Sequence, residues 1–170
     1  MKFWLAKGVS GFRIDAVPHI FEVAADAQGN WPDEPHNDGS NDPDDYGYLK
    51  HIYTVDQPET LDLVYKWRRL LDNFQRENGG DDRIIMAETY SPIDIVMKYY
   101  GNETIDGAQI PFNFLIISLL TNNSNAFNYA DTINQWLNNM PTGRTANWVV
   151  CFVISFKIIY KYNFIICLGW

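Results

Sequence analysis

Gly11-Phe12-Arg13-Ile14-Asp15-Ala16-Val17 is the stretch on which the reading of this chain turns. A strand has a two-residue period, so Phe12 and Ile14 face one way while Gly11, Arg13 and Asp15 face the other. An arginine and a carboxylate would then emerge together at the strand's C-terminal end. A second stretch, Arg83-Ile84-Ile85-Met86-Ala87-Glu88, repeats the plan: an apolar run closes on an acid, with Ile84, Met86 and Glu88 on one face. As neighbours in a parallel sheet, the two strands would set their acids one strand apart, roughly 5 Å.

The sequence between and beyond these runs alternates helix and strand patterns. Residues 22–48 carry Gly, Pro, Asn and Asp throughout and predict a long loop of the kind that builds a pocket at the C-terminal side of a strand. Its cluster of Asp42, Asp44 and Asp45 has no EF-hand spacing and reads as a solvated acidic loop. Asp56 is expected to cap a helix, with Pro58 in the first turn and Glu59 closing a capping box. Leu61, Val64, Trp67, Leu71 and Phe74 form its apolar stripe, and Gly79-Gly80 ends it. Ser91-Pro92 opens a further helix that stops at Gly101. Residues 108–115 read as a strand, 125–140 as a helix with Phe127, Ala130, Ile133, Leu137 and Met140 on one side, and 146–150 as the start of another strand. Such alternation argues for a parallel sheet with helical crossovers.

Residues 11–19 resemble the nucleophile-bearing signature of the α-amylase superfamily (glycoside hydrolase family 13), and Met86-Ala87-Glu88-Thr89 resembles the segment that carries its general acid. Residues 42–68 and 109–114 are similar to insect maltases, a branch of the α-glucosidases, and the likeness runs over residues 3–149. It implies a (β/α)8 TIM barrel. A complete barrel needs about 250 residues, so residues 1–149 would be a partial catalytic domain holding about strands four to seven. The implied chemistry is retaining hydrolysis of terminal α-1,4-linked glucose, and the roughly 5 Å between the acids suits a retaining enzyme. Asp15 would be the nucleophile, Glu88 the acid/base and Arg13 the group that keeps Asp15 ionised. His19 either contacts sugar beyond the scissile bond or is a solvated loop residue. Ala16 stands where small residues in related α-glucosidases accompany α-1,4 preference. The resemblance implies a small maltose-like α-glucoside as partner, no cofactor and no required metal.

Besides the first three strands, most of the nearby small domain and the eighth strand, one catalytic motif of the family is missing. A third catalytic carboxylate, preceded by histidine, would follow the seventh strand, yet no Asp or Glu occurs after Asp131 and no His after His51. This chain by itself is therefore expected to be inactive. The alternative is a non-enzymatic ectodomain like the heavy subunit of amino-acid transporters, which retention of Asp15 and Glu88 disfavours. A metal-dependent barrel enzyme fits less well, because Arg13 would crowd a cation.

Composition narrows the partners. The net charge of -8 argues against nucleic acid or an anionic membrane, and 46% hydrophobic residues suffice for a core. Residues 1–7 are too short for a signal peptide and read as the end of a helix stopped by Gly8, so the start looks internal. The intact relative would be extracellular or membrane-anchored, and only there would the sequons at Asn102 and Asn122 matter. Residues 151–170 contain no acid, proline or histidine, and both cysteines, Cys151 and Cys167, lie among them. This apolar 150–170 tail reads as translated non-coding sequence. A membrane span is disfavoured by Lys157, Lys161 and Asn163 within it. The expectation is that long-read sequencing of mature messenger RNA replaces the codons after Val149 with ones leading to an Asn-His-Asp type motif. Transcripts that keep the tail through Trp170 would refute it.

Overall fold

The computed structural model describes residues 1–149 and the backbone of Ile165–Leu168; the remainder of the 150–170 tail lies outside the described residues. Helix α1 (Lys2–Leu5) leads into β1 (Gly11–Ile14), a 3-10 turn at Val17–His19 and a long loop with a second such turn at Tyr46–Tyr48. Then come α2 (Pro58–Asn78), β2 (Ile84–Ala87), α3 (Ile93–Val96) continuing as a 3-10 turn at Met97–Tyr100, and β3 (Ile110–Pro111). The chain goes on through α4 (Leu115–Leu119) and α5 (Ala126–Asn139) to β4 (Ile165–Leu168). All strand pairs are parallel, in the order β3-β2-β1-β4. Gly11 pairs with Ile84 and Ile14 with Ala87, so β1 and β2 end level with one another. A Cβ at Gly11 would lie 2.7 Å from the Ile84 carbonyl oxygen, so only glycine allows this approach.

Alternation along the strands places the core. Phe12, Ile14, Ile85 and Ala87 are buried together with Val64 and Leu71 of α2 and Tyr99. Each fully buried large apolar side chain contributes roughly 1.5–3 kcal/mol. Leu61, Trp67 and Phe74 pack at the margin of this cluster, as their helical spacing predicts. A smaller cluster joins Val96, Met97 and Tyr100 to Trp136 of α5.

Four local expectations change. The N-cap of α2 is Gln57, because Pro58 takes the first helical position, and no side chain caps the helix. Asp56 lies outside it with φ 58. The strand expected over residues 108–115 contracts to Ile110–Pro111, since residues from Leu115 onward turn into α4. Residues 146–149 form no strand. The Asn147 side chain accepts from the Asn113 amide at 3.0 Å and donates to the Pro111 carbonyl at 2.6 Å, and a single backbone bond, from the Val149 amide to the Asn113 carbonyl at 3.3 Å, joins them. Helix α5 has the expected bounds, with Asn125 and Asn128 forming its capping box. Its buried residues, however, are Thr132 and Trp136, while Phe127 is 81% exposed. Trp136 wins the inner face because it fills the space beside Tyr100, ring centroids 6.3 Å apart.

The long loop is irregular, as read, and is held by local polar bonds. Asp42 accepts from the Asp44 amide at 3.0 Å and Asp45 from the Gly47 amide at 2.9 Å, so these acids shape turns. Glu34 is the main tether. Its carboxylate accepts from the amides of Ile52, Tyr53 and Thr54 and from the Thr54 hydroxyl at 2.7–2.9 Å. Burial raises its pKa, but these donors outweigh it and leave the pKa below the ordinary value. The tether is therefore complete above the ordinary carboxylate range and is lost as pH falls through the lowered value. Glu34→Ala should speed proteolytic cutting within residues 22–56 by roughly tenfold, with Glu34→Gln intermediate. Cutting at the rate of the unaltered chain would show that the loop is held elsewhere.

Candidate active site

The ends of β1 and β2 stay in register for one more rung. The Glu88 amide donates to the Ile14 carbonyl at 2.9 Å, and the Val17 amide returns to the Glu88 carbonyl at 3.1 Å. Asp15 and Glu88 thus leave neighbouring strands at the same level. Between Asp15 and Val17 the chain must reverse, and Ala16 does so in the left-handed region at φ 45, ψ 40. A non-glycine residue there is strained by about 1–3 kcal/mol, a pattern concentrated at functional sites.

Arg13 lies between the acids. Its Nη2 is 2.7 Å from Asp15 Oδ1 and also donates to Glu88 Oε2. The guanidinium sits over the Phe112 ring, 5.8 Å from its centroid, which fixes its height above the sheet. Glu88 is the more enclosed acid, with 15% of its side chain exposed against 39% for Asp15. Burial first, then the hydrogen bond with Asp15, push its pKa up to about 7 against the opposing pull of Arg13. One carboxyl near neutrality can therefore keep its proton while its partner is salt-bridged to Arg13. That asymmetry suits a nucleophile paired with a general acid.

His19 is exposed at the end of the 3-10 turn beyond Asp15, edge-on to Tyr46 with ring centroids 6.4 Å apart. The structure thus brings Arg13, Asp15 and Glu88 together and leaves His19 at the rim. Tyr46 also stacks on His51, centroids 4.0 Å apart, and its carbonyl pairs with His51 Nε2 at 2.8 Å. Nothing in the sequence around His51 announces this contact. Tyr90 and Phe114, stacked at 3.8 Å, also escaped sequence reasoning. With Phe112 and Leu115 they line a cavity of about 450 Å³ that begins just past Glu88. Tyr90 follows an acid at a strand end by two residues, and that spacing is the only signal that could have marked it. Among the described residues, no group of three or more His, Cys, Asp or Glu side chains is placed to hold a metal ion.

Known proteins share this arrangement of chain. The family model described as alpha amylase, catalytic domain, matches residues 1–152. Maltase A1 of Drosophila melanogaster is 52% identical over 153 residues, covering 88% of this chain and 26% of the relative. A salivary alpha-glucosidase of Aedes aegypti is 42% identical over 150 residues, again covering 88% of this chain and 26% of the relative. The chain spans about a quarter of the length of the curated relatives it matches. The crystal structure of an alpha-glucosyl transfer enzyme, XgtA, is similar in fold, with a TM-score of 0.61 at 24% identity over 84% of this chain and 25% of that one. With its parallel strands, helical crossovers and level strand ends, the chain belongs to the α-amylase catalytic-domain family and its TIM-barrel type of fold.

Proposed function

We propose that this chain is a segment of a retaining α-glucosidase acting on terminal α-1,4-linked glucose in maltose-like substrates. The observation that supports this best is the placement of Asp15 and Glu88 on level ends of adjacent strands, with one Arg13 nitrogen between them. In this reading β1, β2 and β3 are barrel strands four, five and six, and residues 146–149 lead toward the seventh. Residues 1–149 form the partial catalytic domain, and residues 150–170 are a tail of separate origin. The salivary relative favours a secreted parent protein. No helix among the described residues is long and apolar enough to cross a membrane.

An Asp15 oxygen attacks the anomeric carbon while Glu88 gives its proton to the glycosidic oxygen; the old bond breaks and a glucosyl ester forms. Water then enters from the side that the leaving group has vacated, opposite Asp15. Glu88, now ionised, takes a proton from it as the new carbon–oxygen bond releases Asp15. Arg13 aligns Asp15 for the first step through their ion pair. His19 contacts the sugar from the rim. Asp15 and Glu88 weigh against a non-enzymatic transporter subunit, which needs neither.

The test uses an intact enzyme that carries this segment. Asp15→Asn should abolish hydrolysis of maltose and aryl glucosides alike, because no ester can form. Glu88→Gln should slow substrates with poor leaving groups by about 10²–10⁴, and azide should restore turnover of an activated aryl glucoside with retained stereochemistry. An active Asp15→Asn enzyme would sink the assignment.

Protonation gives a second check. Because the Glu88 pKa is raised to about 7, the competent protonated form is complete well below that pH and is lost as pH rises through it. Maltose hydrolysis should fall on that alkaline limb, and Glu88→Gln should remove the limb. The 170-residue chain alone should release no more glucose from maltose than its Asp15→Asn form.

A further inference from the structure

Asp56 is read from sequence as a helix cap, but its position gives it other work. It adopts φ 58 without being glycine, immediately before Gln57 and Pro58 open α2. Its backbone amide donates to the Pro18 carbonyl at 2.9 Å. Its Oδ1 accepts from the Ser91 hydroxyl at 2.5 Å. Pro18 stands three residues past Asp15, and Ser91 three residues past Glu88. One residue therefore grips both segments that leave the acid-bearing strand ends, at equal distance along the chain from each acid.

We propose that Asp56 is a positioning residue that braces the Asp15 segment against the Glu88 segment and so sets the gap between the two carboxyls. The assignment of those acids rests on the functional reading above; the brace itself rests on the bonds. The rung formed by Ile14, Val17 and Glu88 fixes the backbones where the strands end. Asp56 adds a second tie further out, and two separated ties remove the hinge freedom that one leaves. Such control matters because a displacement of about 1 Å in a reacting group can slow catalysis on the order of a hundredfold.

The surroundings leave the Asp56 pKa above its ordinary value. Burial raises the Asp56 pKa, the Ser91 hydroxyl and the nearby His19 lower it, and Asp94 raises it further. Tyr99, which also hydrogen-bonds Ser91, and Tyr46 are the other titratable groups that feel its charge. The left-handed backbone is what turns the amide toward Pro18 and the carboxylate toward Ser91 from a single Cα. Asparagine, which tolerates this conformation and has an equivalent Oδ1 acceptor, should preserve both bonds. Alanine keeps the backbone amide that reaches Pro18 but loses the acceptor for Ser91.

The experiment follows the Glu88 carboxyl carbon by NMR in the full 170-residue chain labelled with carbon-13 glutamate, the resonance being assigned with Glu88→Gln. Its midpoint near 7 is set by burial, Asp15 and Arg13, so a change on altering Asp56 reports movement of those groups. Asp56→Ala and Ser91→Ala should each lower the midpoint by about half a pH unit or more while the chain keeps its dispersed amide spectrum. Asp56→Asn should leave it in place. A merely structural Asp56 would change the melting temperature without moving this midpoint. If Asp56→Ala loses its dispersed spectrum, Ser91→Ala decides, since it deletes only one hydroxyl. Wild-type titration in folded Ser91→Ala, or a shift in Asp56→Asn as large as in Asp56→Ala, overturns the brace. No substrate enters this measurement. An intact enzyme that stayed active as Asp15→Asn would remove the catalytic reading and leave the brace standing.

Discussion

Two carboxylates on level ends of adjacent parallel strands repel one another, by about 3 kcal/mol at 5 Å in a medium of effective dielectric 20. The Arg13 guanidinium, reaching both Asp15 and Glu88, makes the arrangement tolerable. Its reach depends on the strand register: Arg13 pairs with Met86, so its side chain rises on the same face as both acids, one rung below them. That register in turn needs Gly11, where any Cβ would collide with the Ile84 carbonyl. The ion cluster, the glycine and the level strand ends are thus one constraint seen at three scales. Because Arg13 serves both acids, it cannot fully hold the second ionised, and burial decides which of them keeps a proton.

The parts legible in the sequence were those governed by local period and by motif. Alternation in residues 11–15 and 83–88 gave the facing of both strands, and three- and four-residue spacing gave the core side of α2. Where the reading failed, a tertiary contact had overruled a local preference. Asp56 before Gln57-Pro58-Glu59 has the local chemistry of a cap, but Ser91 is 35 residues away in sequence and no local pattern announces it. Phe127 and Leu137 make a convincing apolar stripe, yet the inner face of α5 was taken by Trp136, whose partner Tyr100 belongs to another element. Over residues 146–149 the expected strand gives way to the Asn147 side-chain amide and a single backbone bond from the Val149 amide to the Asn113 carbonyl, an arrangement invisible to any periodicity. At the candidate site, Arg13, Asp15 and Glu88 could be named because they end strands. Tyr90, Phe114 and Asp56 could not, because their positions depend on how loops fold back.

The long segment between β1 and α2 illustrates how an irregular chain is ordered without a core of its own. Glu34 satisfies three consecutive amides and a hydroxyl from residues 52–54, which carries the tip of the loop back toward its base. A further bond, from the Val23 amide to the Tyr53 carbonyl at 2.8 Å, closes the same neck from the other side. His19, Tyr46 and His51 gather ring against ring in this segment and the turn before it. The loop therefore presents an aromatic rim whose position depends on polar bonds at its base, so rim and neck would be disturbed together.

Ala16 carries a consequence for any attempt to redesign this region. Its side chain is small and directly follows Asp15, which invites substitution to reshape what the site accepts. Its backbone, however, sits at φ 45, where a branched Cβ meets the neighbouring peptide groups. Valine or threonine would then alter the shape of the site and the conformational stability of the turn in one move. Glycine, asparagine and aspartate relieve the turn but offer a narrow range of shapes. Selection among variants at this position is thus confounded: an inactive clone can report a misformed turn as readily as a rejected ligand, and only expression and melting data taken alongside activity separate the two.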